Sequence, residues 1–80
     1  MNTDLLEVGK LYEMKDPRRV KKEVPVFASF NDVKFFQEKT IVMLVEKKVY
    51  MGFDPENYVK ILLDDKTYII HSVFLEELSE

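Results

Sequence analysis

The chain has no cysteine and no tryptophan, and holds only 2 glycines, 3 prolines and 1 histidine in 80 residues. Without cysteine there is neither a disulfide framework nor a thiolate metal site, which points to a reducing cytoplasm rather than a stapled secreted mini-protein. Two glycines do not make a phosphate-cradling loop, and no nucleophile elbow is present. The single histidine, His71, stands beside Ser72 near the end of an expected strand, where adjacent residues point to opposite faces, so it reads as a rim residue rather than a general base. No intrinsic hydrolase, transferase or redox activity is expected, and no cofactor. The longest unbroken apolar run, Ile41 to Val45, is far short of the roughly 18 residues that cross a bilayer. Residues Met1 to Glu7 carry acids where a signal peptide would be basic, so neither export by that route nor a membrane span is expected.

What is present suits a small folded domain. A chain of this length buries about 60 to 65% of its unfolded surface and has room for one core, so residues 1–80 are read as a single domain of modest stability. Hydrophobic residues make up 46% and charged residues 34%, while six Phe and four Tyr supply large buried areas. The net charge of −3 is unevenly spread. Residues 1–48 hold ten basic and eight acidic side chains, and residues 49–80 hold two basic and seven acidic. Such a balance argues against indiscriminate nucleic-acid binding.

Ile41-Val42-Met43-Leu44-Val45 is too short for a buried helix and is expected to be a strand covered on both faces. Before it, residues 1–7 are expected to fray, a strand begins near Val8, and Gly9 marks a bulge or a close approach. Asp16-Pro17 ends that strand, and residues 15–23 form an exposed basic loop. Val24 to Phe30 alternates as a short strand that Pro25 confines to an edge or a strand start. Val33 to Glu38 allows either a helical turn or a loop whose aromatics plug the core. Gly52 to Asn57 is a turn. Tyr58 to Leu63 and Thr67 to His71 form a hairpin, with Val59, Ile61 and Leu63 on one face. The turn Asp64-Asp65-Lys66 lacks glycine, so a longer, open turn is expected. Ser72 to Leu78 suits one tight turn and a short closing strand.

Five short strands favour an all-β, partly open barrel. The succession Val24 to Ser29, a spacer ending Phe36-Gln37-Glu38-Lys39-Thr40, Ile41 to Glu46, Tyr58 to Leu62, a tight turn, Thr67 to Ile70 and Phe74 to Leu78 resembles the Src-homology-3-like barrels of bacteria and their phages, over roughly Val8 to Leu78. Lys10-Leu11-Tyr12-Glu13-Met14 is similar to the start of the eukaryotic domain's first aromatic motif. The proline-peptide groove of that family depends on a tryptophan, so ordinary PxxP recognition is not expected here. Barrels of this type serve many functions, and the fold does not select one.

Two surfaces are candidates for binding. Lys15, Arg18, Arg19, Lys21 and Lys22, against Asp16 and Glu23, make a cationic loop suited to phosphate or carboxylate, or simply a solvated one. Tyr12, Tyr50, Phe53 and Tyr58 could line a shallow partner groove at the mouth of a barrel, or belong to the core. The paired acids Asp64-Asp65 and Asp54-Pro55-Glu56 supply too few oxygens for a calcium site and read as turn formers, so no metal is expected. The leading expectation is a non-catalytic protein-interaction module, a small phage-type regulatory or structural protein with a protein partner. It would be a monomer or a weak, salt-sensitive head-to-tail dimer. The alternative is nucleic-acid or ribonucleoprotein binding through the basic loop.

Overall fold

The computed structural model describes residues 5–18, 22–29, 31–49 and 57–78. Within them the chain is all-β, one open antiparallel sheet of seven strands. These are β1 (Leu11–Met14), β2 (Glu23–Ser29), β3 (Asp32–Gln37), β4 (Ile41–Glu46), β5 (Tyr58–Leu63), β6 (Lys66–His71) and β7 (Leu75–Glu77). They lie in the order β3-β2-β6-β5-β4-β1-β7. A tight 3-10 turn, Ser72–Phe74, leads into the short closing strand β7. No helix among the described residues is long and apolar enough to cross a membrane.

The strand count exceeds the five read from the sequence, chiefly because residues 32–37 form β3 rather than a helical turn or loop. The pair Phe35-Phe36 splits across a period of two. Phe36, opposite Val24, turns inward and meets Tyr68 edge-on with ring centroids 5.4 Å apart, while Phe35, opposite Pro25, turns outward.

Every other strand buries alternate residues. Tyr12 and Met14, Val24 and Val26, Val42 and Leu44, Val59 and Ile61, Tyr68 and Ile70, and Leu75 join Leu6 in one apolar cluster. Leu63 packs against it from the end of β5, completing the face expected of that strand. A flat sheet would measure about 10 Å through its side-chain layer, whereas the shortest extent of the molecule is 25 Å. The sheet is therefore coiled around its own buried face.

This geometry corrects the reading of β4 as covered on both faces. Val42 and Leu44 are buried, but Ile41 and Val45 are 53% and 37% exposed and Met43 is half-buried. The described residues form a single layer with no second one against its outer side, so the apolar run reflects outward-facing apolar residues and not two-sided burial. Leu6, inside the stretch expected to fray, is also buried, and the adjacent Glu7 N–H donates to the Tyr12 hydroxyl at 2.8 Å.

Gly9 does sit in a bulge. Its N–H donates to the Leu44 carbonyl and the Leu44 N–H to the Lys10 carbonyl, while the Lys10 N–H closes a turn onto the Glu7 carbonyl. Gly9 occupies the third position of that turn with φ +89°, the left-handed conformation required there. The same pattern recurs at the other end of the β1–β4 pair. The Lys39 N–H donates to the Met14 carbonyl, the Met14 N–H to the Thr40 carbonyl, and the Thr40 N–H to the Gln37 carbonyl, with Lys39 at φ 70°.

Pro25 lies inside the sheet, between β3 and β6, contrary to the expected edge or strand start. It is tolerated because β2 and β6 are paired only at Phe27 and Ile69, so no ladder bond from Pro25 is needed. The β5–β6 connection also differs from expectation. Leu63 pairs with Lys66, leaving a two-residue turn in which Asp64 and Asp65 both take positive φ, 52° and 65°. Aspartate tolerates this region better than most non-glycine residues because its short side chain bonds locally.

Candidate functional site

The outer face of β5, β6 and β2 carries a chain of rings. Because Val59 and Ile61, Ile70, and Val24 and Val26 point inward, alternation turns Tyr58, His71 and Phe27 outward. The two-residue turn sets the register that places Tyr58 directly opposite His71, and Phe27 opposite Ile69 beside them. Phe27 meets Tyr58 at 6.3 Å between centroids, Tyr58 meets His71 at 5.1 Å, and His71 meets Phe74 at 6.5 Å. All three contacts are edge-to-face, with interplanar angles of 66°, 76° and 81°. That arrangement sets the positive edge of one ring against the negative face of the next. All four residues are half-buried, so each offers part of its ring to solvent.

Local bonding fixes the ladder's far end. The His71 Nδ1 accepts the Val73 N–H at 3.1 Å, capping the 3-10 turn and anchoring the imidazole. Phe74 packs against the core on one side. On the other, the Arg18 guanidinium lies 5.5 Å from its ring centroid, within cation–π range. The Phe74 carbonyl accepts the Lys15 N–H, tying the start of the basic loop to the turn.

Arg18 is positioned by Asp16, whose side chain is fully buried while that of Arg18 is 53% exposed. One Asp16 carboxylate oxygen accepts both the Arg18 N–H and its Nε–H, at 3.0 and 2.9 Å. The Asp16 N–H in turn donates to a Glu38 carboxylate oxygen at 3.0 Å. The loop thus begins as a hydrogen-bonded structure, in place of the wholly exposed segment expected. Lys15 approaches Glu76 at 4.0 Å, and Lys22 is exposed with φ 56°. Arg19 and Lys21 lie outside the described residues.

The aromatic quartet expected from the sequence does not assemble as such. Tyr12 is fully buried, its hydroxyl engaged by the Glu7 N–H, because it occupies an inward position of β1. Tyr50 and Phe53, with all but Asn57 of the turn expected over Gly52 to Asn57, lie outside the described residues. Of the two described members, Tyr58 stands in the ring ladder and Tyr12 does not. Phe27, His71 and Phe74 are its other members. They were legible in part, since alternation along Val24 to Phe30 already opposes Phe27 to Val26. The Tyr58–His71 pairing was hidden by the missing glycine at Asp64-Asp65, which conceals the short turn that fixes it.

Elsewhere among the described residues, two lysines pair with acids. Lys10 lies 3.3 Å from Glu77, and Lys60 lies 3.5 Å from Glu46. The pairs of Lys10 and Lys15 join the basic first part of the chain to the acidic last part within one molecule. The described residues contain no cluster of three or more His, Asp or Glu able to hold a metal ion. No protein-family model, curated protein or solved structure matches this chain.

Proposed function

We propose that this chain is a non-catalytic protein-interaction module whose docking surface is the ring ladder Phe27–Tyr58–His71–Phe74, with Arg18 at one end. The observation that carries the reading is the contiguity of half-buried rings along the sheet, each held edge-on to the next and ending beneath a guanidinium. Rigid aromatic area of this kind binds at small entropic cost, and an exposed guanidinium selects a carboxylate. The ligand we infer is an extended apolar peptide segment carrying an acidic residue. The setting is a reducing cytoplasm, in a small phage-type regulatory or structural role.

A Src-homology-3-like barrel is the architecture we assign to the module. Three features support it: the consecutive strands β7-β1-β4-β5-β6, the β2–β3 hairpin inserted after β1, and the 3-10 turn before the closing strand. On that reading the five barrel strands are β1, β4, β5, β6 and β7. Nucleic-acid binding through the basic loop is the weaker alternative, because Lys15 already approaches a carboxylate of the same chain.

Selection from a random peptide library, followed by affinity measurement, tests the proposal. Tyr58→Ala and Phe74→Ala should each weaken the selected peptide at least tenfold, on the order of 1.4 kcal/mol, while the variants keep their far-ultraviolet spectrum. Peptide binding should change little with salt. If the variants bind undiminished, or if single-stranded oligonucleotides bind tightly with log K falling linearly against log salt, the basic loop is the better site.

A further inference from the structure

Among the described residues the sheet ends at β3, whose far side meets no other strand. The pairing with β2 shows which backbone groups lie on that edge. The Glu38 N–H donates to the Lys22 carbonyl. In the alternating antiparallel ladder Phe36 and Lys34 therefore also bond toward β2, whereas Val33, Phe35 and Gln37 direct their N–H and C=O groups away from it. The register agrees, since Pro25, which has no N–H, lies opposite Phe35, where no bond between β2 and β3 is required. Val33 and Phe35 also expose apolar side chains, 43% and 58% accessible. A six-residue strand with open backbone groups and exposed apolar side chains is a template for pairing with another strand.

We propose that this edge binds a second copy of the chain, the two β3 strands pairing antiparallel about a two-fold axis at Phe36. Charge favours this register over an axis at Lys34 or at Phe35. With the axis at Phe36, Lys34 of each copy stands opposite Glu38 of the other, and Phe35 bonds across to Gln37 and lies diagonal to its own counterpart. An axis at Lys34 would oppose two lysines, and an axis at Phe35 would oppose Asp32 to Glu38, both unfavourable. The chain beyond β3 also provides room. A cleft of about 410 Å³ lined by Lys22, Glu23, Gln37, Glu38 and Lys39 opens beside Glu38. The contact is self-complementary, as a two-fold interface must be. It uses a different part of the sheet from the Tyr58–His71–Phe74 rings and stands independently of the peptide-binding proposal.

Sedimentation equilibrium on the whole chain over a wide concentration range tests this. The unaltered protein should dimerise reversibly. Phe35→Pro, which removes an outward N–H and leaves the ladder to β2 intact, should abolish dimerisation. Lys34→Glu should weaken it about tenfold by turning two attractive pairs repulsive. Mixing Lys34→Glu protein with Glu38→Lys protein should restore a dimer, because each then supplies the charge that the other lacks. Circular dichroism and melting curves establish that each variant is folded. A protein that stays monomeric at every concentration overturns the proposal. So does a Lys34→Glu variant that dimerises as well as the parent, or a mixture that associates no better than its components.

Discussion

Gly9 and Lys39 fill equivalent positions in two bulges of the β1–β4 pair, both with positive φ, yet only one of them is glycine. The left-handed conformation costs a residue bearing Cβ about 1–2 kcal/mol and costs glycine almost nothing. A Cβ built at Gly9 meets no atom within 4 Å, so the cost of Gly9→Ala is conformational and not steric. Gly9→Ala should lower stability by about 1 kcal/mol and Lys39→Gly should raise it by a similar amount. Urea midpoints at unchanged slope would show both. Side-chain packing gives a second contrast along β4. Leu44→Ala should cost about 2–5 kcal/mol, because Leu44 is wholly buried, and Met43→Ala distinctly less, because its outer side meets solvent. Equal losses would mean that a second layer covers the sheet. Lys10 supplies the pH dependence. Its hydrogen bond to Glu77, then the charge of Glu77, raises its pKa above the ordinary 10.5. A group whose folded pKa is raised stabilises fully below its unfolded pKa and loses that contribution as pH climbs through the folded value. Lys10→Gln should therefore flatten the alkaline fall in stability above about pH 10.5.

At the scale of the element, the β5–β6 hairpin shows why some of the fold was legible and some was not. Both strands, their inward faces and their antiparallel relation follow from alternation and from the polar turn between them. The register did not follow, because a two-residue turn with two positive φ values is ordinarily signalled by Asn-Gly or Asp-Gly. Here two aspartates accept the strain. Replacing Asp64-Asp65 by Asn-Gly should raise the melting temperature by several degrees, since about 1 kcal/mol corresponds to roughly 4–8 °C in a domain of this size. No change, or a loss, would show that the turn depends on the carboxylates. The strand β3 was hidden for a different reason. Its residues lie at a sheet edge and are exposed except for Phe36 and bury no alternate row, so periodicity had nothing to report. The basic loop shows the opposite error. Its cationic composition suggested free solvation, while the burial of Asp16 depends on contacts with Arg18 and Glu38 that no local pattern encodes.

At the scale of the whole molecule, the chain closes one face of a coiled sheet around a core and leaves the other face to solvent. That division explains why apolar residues are found outside as well as inside, and why Tyr12 and Tyr58, alike in the sequence, have opposite fates. The coiled sheet also joins the two oppositely charged parts of the chain at two points. Coiling brings Lys10 and Lys15 beside Glu77 and Glu76. What stands out from the remaining surface is the row of rings. Nuclear magnetic resonance titration of the library-selected peptide, followed through aromatic side-chain signals, reads that row directly. The account predicts saturable shifts at Phe27, Tyr58, His71 and Phe74 with Tyr12 and Tyr68 unmoved. Shifts confined to residues away from these rings, with the four ring systems unchanged at saturation, would contradict it.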